Sequence, residues 1–423
     1  MMLTRKIFYF FQAQKRQWAK PSEIESLQKK MLRYLVTHAF RHTIFYRRKW
    51  KECRVRPEDI KNVEDLKKLP IVTKEDVIKN YNQFIAWNYQ RFYDFSKIKT
   101  TRTSGYSGMP LRIIFDERAD DYREGIYLRS LLAVGYNPRK PLAYYWYEPF
   151  ERKLYNRLGF MNKIYIPSSL SEERQIEMLQ RFNPEYIHYF PSILYSIAKR
   201  IEFEGIALNP ELIITSGDVL SKKMRGVIEE AFNAPVYDQY RMIELGSVAW
   251  ECKERGCYHV DADSVVLEVV KENESVSEEE RGIAICTNLT NFLFPLIRYE
   301  TGDAVIPTSG RCSCGRTLPL LKGIDGRSSE IVKLISGRIL TPKMIIDSIA
   351  DVGVYKFKLD FKKGNKVRVN LVLLDRKKKE GVLEEVESRL NNLLKEKFTI
   401  CFRIVNDIPK VGRGKRKLIS FAL

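Results

Sequence analysis

The segment ELIITSGDVLSKKMRGVIEEAFNAPVYDQY, residues 211–240, limits the possible folds more than any other part of this chain. Ile213 and Ile214 suit a buried strand. Ser221 can cap a helix with the apolar face Met224, Val227, Ile228 and Ala231, and Val236 to Tyr240 suits the next strand. A helix between two strands rules out a hairpin and implies a parallel pair joined by a right-handed crossover. Ligands of such sheets sit at the carboxyl ends of strands, here near Gly217, Asp218 and Tyr240. Similar alternation of short apolar runs and helical patterns extends from Leu111 to about Asn288.

The flanks read differently. SLQKKMLRYLVTHAFRHTIFYRRKW places Met31, Leu35, Ala39 and Ile44 at near-helical spacing, and Thr73 is a candidate N-cap ahead of Lys74, Glu75 and Asp76. The chain changes character near Gly326. VYKFKLDF and KVRVNLVLLD alternate as hairpin strands, a helix through Val382, Val386, Leu390 and Leu394 follows, and FTICFRIVND supplies a third strand. The 423 residues exceed what one core usually supports. The expected fold class is α/β: a large N-terminal domain, residues 1–328, with parallel-rich sheets and helices, and a small C-terminal α+β domain, residues 329–423.

A net charge of +20 favours anionic partners such as nucleotides, coenzymes, nucleic acid or acidic lipid surfaces, although a solvated lysine-rich surface has the same composition. No run approaches the roughly 20 apolar residues that span a bilayer. The start, MMLTRKIFYFFQAQKRQW, has an aromatic patch but no small-residue cleavage site, so a cytoplasmic location is expected. Four of the seven cysteines form two close pairs, Cys252 with Cys257 and Cys312 with Cys314. Four thiolates on two glycine-flanked loops match a tetrahedral structural zinc site, with His259 as a spare ligand. Cys53, Cys286 and Cys401 are expected in the core.

Four further motifs each carry two readings. In TSGYSG, Gly105 and Gly108 let backbone N–H groups converge, and Thr103, Ser104 and Ser107 add hydroxyls, which suits a polyphosphate; a plain hairpin turn uses the same residues. Met109 stands where a P-loop would carry lysine. In VYDQYRMIELGSVAWEC, Glu244 after a strand can hold Mg²⁺ and Tyr240 can stack on a base; alternatively Glu244 starts a helix and serves its dipole. NLTNFLFPLIRYETGDAV reads as an apolar strand ending at Asp303, which can accept ribose hydroxyls or simply occupy a turn. In IPKVGRGKRKLIS, glycines flank Arg413, and Lys415 can neutralise charge on a phosphoryl centre or belong to a solvated basic tail.

The order of these motifs resembles the adenylate-forming (ANL) superfamily over nearly the whole chain. Within it the sequence is most similar to the branch holding phenylacetate–CoA ligases, CapK-like proteins and deazaflavin-coenzyme synthetases, as are YLVTHAFRHTIFYRRKW, LPIVTKEDV and WEC…GCYHVDAD. The resemblance implies an AMP-binding adenylation domain and a mobile C-terminal domain. It implies that Thr103, Ser104, Gly105, Ser107 and Gly108 wrap the β- and γ-phosphates of ATP, and that Ser216, Gly217 and Asp218 border the adenine beside Asp238 and Tyr240. It further implies that Glu244 holds Mg²⁺, Asp303 and Arg327 bind the ribose, and Lys415 approaches the α-phosphate. The implied reaction makes an acyl-adenylate from a carboxylic acid, then passes the acyl group to a thiol, usually coenzyme A, after the small domain has turned.

The sequence also departs from that pattern. The family's Tyr-Gly-x-Thr-Glu stands here as Tyr240-Arg241-Met242-Ile243-Glu244, with a hydroxyl lost and bulk added, and Ser328 and Ser329 precede Glu330 where acidic residues are usual. These changes motivate a second hypothesis, a nucleotide-binding or partner-binding pseudoenzyme. A zinc-stapled nucleic-acid binder is disfavoured, because the chain has no aromatic stacking platform or recognised reading helix. The acid pocket would draw on YLRSLLAVGY, LAYYWYEPF and IHYFPSILYS, whose aromatic walls suit an aryl or arylacetyl group or plain packing. A homo-oligomer is compatible with all of this.

Overall fold

The computed structural model describes residues 2–86, 97–103, 110–149, 154–254, 256–272, 274–334, 336–363, 365–412 and 414–422. It divides into two compact units, each built from two stretches of chain: Met1–Val134 with Tyr240–Ile324, and Gly135–Gln239 with Asp325–Leu423. The chain enters the first unit for the second time within the strand Val236–Met242 and leaves it within the strand Leu320–Arg327.

The second unit contains the parallel sheet. Its strands run in the order Val236–Met242, Leu212–Ser216, Tyr186–Tyr189, Leu142–Trp146, Lys163–Pro167, and every neighbouring pair is parallel. Tyr186–Tyr189 and Leu212–Ser216 are buried at every position, as expected of strands covered on both faces. Between strands run the helices Glu172–Phe182, Pro191–Glu204 and Lys222–Phe232. The last is capped by Ser221, whose side chain accepts from the Met224 N–H, and it buries Met224, Val227, Ile228 and Phe232. The crossover expected over residues 211–240 is therefore present.

The C-terminal stretch of this unit forms a four-stranded sheet in the order Thr399–Ile404, Lys366–Val372, Lys356–Lys362, Ile419–Ala422, antiparallel at its centre and parallel at both edges. The helix Lys379–Leu394 buries Val382, Val386, Leu390 and Leu394, the positions its spacing predicts. One apolar cluster joins this sheet to the parallel one: Ile193, Leu194 and Tyr195 belong with Val354, Phe357 and Leu359.

The first unit is largely antiparallel. Its strands Val265–Lys271, Gly282–Asn288, Tyr299–Thr308, Leu320–Arg327, Tyr258–Val260 and Gly246–Glu251 follow in that order across the sheet. The helices Pro21–His42 and Ile44–Glu52 contribute Leu35, Ala39, Phe45, Tyr46 and Trp50 to its core. Thr73 is the expected N-cap, exchanging hydrogen bonds with Asp76.

Three expectations need correction. Ile44 is exposed, because the extended backbone at Thr43 (ψ 145°) ends one helix and resets the phase of the next. The run Asn291–Ile297 is not a strand: Pro295 has no N–H to give a ladder and Arg298 has φ +52°, so the strand begins only at Tyr299. Asp303 accordingly lies inside a strand and not at its end. Of the cysteines expected in the core, Cys286 is buried but Cys53 and Cys401 are exposed. Among the described residues, no helix is long and apolar enough to cross a membrane.

Candidate active site

In the second unit, the strand Leu212–Ser216 delivers Ser216, Gly217 and Asp218 at its carboxyl end. Gly217 has φ +84°, and a Cβ there would lie 3.2 Å from the Phe190 ring and 3.3 Å from the Lys415 ammonium, so the turn needs glycine for both conformation and space. Ser216 Oγ is 2.9 Å from His188 Nε2, and Thr215 Oγ1 donates to Asp238 Oδ1 at 2.7 Å. Asp218 Oδ2 accepts from Ser192 Oγ at 2.5 Å. Burial pushes the Asp218 carboxyl up, against the opposing pull of Lys415 and Ser192.

Lys415 comes from far along the chain to the same place. Its ammonium donates to the Gly217 carbonyl and lies 5.2 Å from the centroid of the Phe190 ring. Of the residues expected around the adenine, Ser216, Gly217, Asp218 and Asp238 thus lie in the same compact unit as the lysine expected at the phosphate, whereas Tyr240 belongs to the first unit. Arg327 ends the strand Leu320–Arg327 in the second unit.

The Lys415 segment is held by groups on both sides. Gly414 has φ +94°, and a Cβ would fall 2.6 Å from Ser168 Cβ and 2.7 Å from the Tyr145 hydroxyl, which itself donates to the Gly414 carbonyl at 2.8 Å. Beyond the lysine, buried Arg416 donates to the Ile408 carbonyl at 3.1 Å and to Ser196 Oγ at 2.8 Å, and pairs with Glu172. Glu172 also takes Lys356, 3.0 Å away, which in turn reaches Asp407 at 2.7 Å. Burial alone would raise the Glu172 carboxyl; Arg416 and Lys356 outweigh it and hold it at about 2. Sequence reasoning missed this network. Glu172 reads as an ordinary first-turn acid behind the N-cap Ser171, and Arg416 as one more base in a basic tail.

In the first unit, the Tyr240 hydroxyl donates to Asp303 Oδ2 at 2.7 Å, and burial followed by the Asp303 charge pushes the phenol far above its ordinary value. Asp303 is placed by its own N–H, which donates to Thr301 Oγ1 at 3.1 Å beside Gly302 at φ +73°. Glu244 sits in the turn between the strands Val236–Met242 and Gly246–Glu251, so the helix-start alternative does not apply. Its buried carboxylate accepts from the Tyr299 hydroxyl at 3.4 Å. A single carboxylate of this kind, completed by substrate phosphates, suits Mg²⁺. Arg241, the bulky departure, lays its guanidinium 3.9 Å from the centroid of the Tyr127 ring. Thr103 is buried, its hydroxyl accepting from the Leu111 N–H at 2.8 Å. Ser104, Gly105, Ser107 and Gly108 lie outside the described residues.

The cysteine loops meet in the same unit. The donor atoms of Cys252, His259, Cys312 and Cys314 all lie within 4.8 Å of one another. Cys252 Sγ is 3.4 Å from Cys312 Sγ, too long for a disulfide, and Cys314 Sγ is 3.3 Å from His259 Nε2. Cys257 stands beside Cys312, its thiol pushed up to about 12 by burial and by that neighbour. His259, which the sequence offered as a spare, joins the tight group, and burial with Arg316 and Arg129 nearby pushes it down to about 4, the neutral form a ligand needs. Three sulfurs and one imidazole nitrogen at this spacing fit Zn²⁺.

No family model matches the chain. It is 27% identical over 335 residues to the phenylacetate-coenzyme A ligase of Thermus thermophilus, covering 76% of this chain and 74% of that one. The Escherichia coli enzyme of the same name is 27% identical over 346 residues, 78% and 77% of the two chains. Protein CapK of Staphylococcus aureus is 24% identical over 381 residues, 84% and 80%. Among solved structures, a 2-hydroxyisobutyryl-CoA ligase superposes with a TM-score of 0.80 at 19% identity over 96% of this chain and 91% of that one. An anthranilate CoA ligase gives 0.57 at 15% identity over 75% and 65%. These likenesses run over most of the chain and join the motif order and the site geometry in one conclusion: the chain belongs to the adenylate-forming superfamily, in its phenylacetate–CoA ligase-like branch.

Proposed function

We propose that this protein is an ATP-dependent, AMP-forming ligase that adenylates a carboxylic acid, aryl or arylacetic in class, and transfers the acyl group to coenzyme A. The observation that carries the reading is the Lys415 ammonium seated on the Gly217 carbonyl beside Asp218. In the first half-reaction an oxygen of the acid attacks the α-phosphorus, the bond to the bridging oxygen breaks, and pyrophosphate leaves. Lys415 neutralises the charge that builds on the α-phosphoryl oxygens. Ser216, Gly217, Asp218 and Asp238 border the adenine, Tyr240 positions Asp303 for the ribose with Arg327, and Thr103, Ser104, Gly105, Ser107 and Gly108 take the outer phosphates. Glu244 would hold Mg²⁺, which supplies charge neutralisation on those phosphates. In the second half-reaction the thiol sulfur attacks the acyl carbon and AMP departs. Residues 329–423 would move between the two steps, which requires Arg416 and Lys356 to leave Glu172.

The decisive assay is pyrophosphate release, or ATP–pyrophosphate exchange, across a panel of aliphatic, aryl and arylacetic acids. A subset of acids should trigger it by orders of magnitude over the no-acid rate. ATP binding with no acid-dependent exchange across the panel would overturn the ligase reading in favour of a nucleotide-binding pseudoenzyme. Ile243, which lacks the hydroxyl usual at that position, supports this second reading. Exchange that appears only after Ile243→Thr and Arg241→Gly would identify that turn as the lesion.

We also read the Cys252, His259, Cys312 and Cys314 cluster as a zinc staple, in keeping with a reducing, cytoplasmic setting. Purified protein should carry one zinc per chain by elemental analysis. Chelation, or Cys312→Ser, should lower the thermal midpoint by about 5 °C or more. A metal-free protein with an unchanged midpoint would remove the staple.

A further inference from the structure

The helix Met2–Arg16 packs within the first unit through a mixed side, where Tyr9 and Ala13 meet Tyr122 and Ile126 and several of its polar groups find partners. Arg5 Nε pairs with the fully buried Asp121 carboxylate at 2.5 Å, and Lys6 lies 3.7 Å from its other oxygen. Tyr9 accepts from Arg118 at 3.1 Å, the Ala13 carbonyl from Arg129 at 3.1 Å, and Tyr122 from Arg16 at 2.8 Å. The partner helix Glu117–Ala133 comes so close that a Cβ on Gly125 would lie 2.9 Å from the Phe10 nitrogen.

Its outward side is apolar. Ile7, Phe8, Phe11 and, two residues past the helix end, Trp18 are 45%, 55%, 64% and 51% exposed. At about 100° per residue these positions, with Lys15, fall within an arc of roughly 100°, a continuous stripe along one face. A helix against water does the opposite, turning its apolar face in and its charges out. Residues 2–20 contain Arg5, Lys6, Lys15, Arg16 and Lys20 and no acidic residue. The Trp18 ring is flanked by the Arg316 guanidinium, 4.8 Å from its centroid.

We propose that this face is an interfacial anchor for an anionic lipid surface. Ile7, Phe8, Phe11 and Trp18 enter the boundary between headgroups and acyl chains, while exposed Lys15 and Lys20 stay with the lipid phosphates. The +20 charge of the chain attracts such a surface and repels a second copy of itself. Four side chains in a single stripe also fall short of the roughly 800 Å² per partner that a stable dimer buries. The inference stands independently of the ligase reading.

The test is flotation of the full-length protein with vesicles of phosphatidylcholine alone or with about 30% phosphatidylglycerol, following the Trp emission. Binding to the anionic vesicles should exceed that to neutral ones by about tenfold or more and fall severalfold in about 0.5 M salt. The emission should move to shorter wavelength on binding. Phe8→Ser with Phe11→Ser should cut binding by about 30-fold. The same pair should leave the thermal midpoint and pyrophosphate exchange unchanged, since both rings are already exposed and neither lies in the site. No binding to anionic vesicles by the folded wild type would overturn the proposal. So would self-association abolished by the same two substitutions without any lipid binding.

Discussion

Lys415→Ala is expected to slow acid-dependent pyrophosphate exchange by about 10²–10³-fold, the range lost when one preorganised donor to a developing oxyanion is removed. ATP affinity should change far less, because in the proposed mechanism the ammonium meets charge that grows in the transition state, whereas the adenine contacts are assigned to Ser216, Gly217 and Asp218. Thioester formation from a supplied acyl-adenylate should be spared. This split separates a catalytic lysine from a structural one, which would lower both half-reactions and the thermal midpoint together. Lys415→Arg tests geometry: the charge persists, but a planar guanidinium fills the space beside Phe190 and the Gly217 carbonyl differently. Exchange at the wild-type rate in Lys415→Ala would remove the lysine from the mechanism.

The second large effect concerns stability. Glu172→Gln leaves Arg416 and Lys356 buried without their shared anion, and breaking a buried pair in this way costs about 3–5 kcal/mol. Denaturant titration should show the loss as a lower midpoint with little change in slope. The pH dependence gives an independent signature. The folded carboxyl, held at about 2, lies below its ordinary value of 4.5, so its contribution is complete above that ordinary value and is lost as the pH falls towards the folded one. The wild type should therefore lose stability through that acid window, and Glu172→Gln should lose much less of it there. An acid limb of equal size in both proteins would assign the effect to other carboxylates. Because Arg416 follows Lys415 directly, the variant should also slow pyrophosphate exchange.

Much of the architecture could be read before any coordinates. The strand–helix–strand unit over residues 211–240 was legible because a capped amphipathic helix between two β-rich runs leaves one topology. The C-terminal helix through Val382, Val386, Leu390 and Leu394 was legible because its period is strict. Order along the chain, more than any one motif, pointed to the family. What failed to show was whatever depends on distant partners. Apolar content suggested a strand before Asp303, but Pro295 and Arg298 break the backbone pattern. That the His259 nitrogen lies within 4.8 Å of the Cys252, Cys312 and Cys314 sulfurs could not be read from spacing, because loop closure decides which donors meet. Glu172 had no local signature at all, since its two cations lie 184 and 244 residues away.

The interleaving of the two units bears on how the protein is made. A ribosome releases Met1–Val134 long before Tyr240–Ile324, and Gly135–Gln239 before Asp325–Leu423, so neither core can close on its first half alone. Val354, Phe357 and Leu359 can reach Ile193, Leu194 and Tyr195 only after the long intervening stretch has been made. Until then the nascent chain exposes apolar sheet faces, and a stop codon anywhere upstream of those residues leaves a product suited to chaperones and proteases, not a smaller working protein.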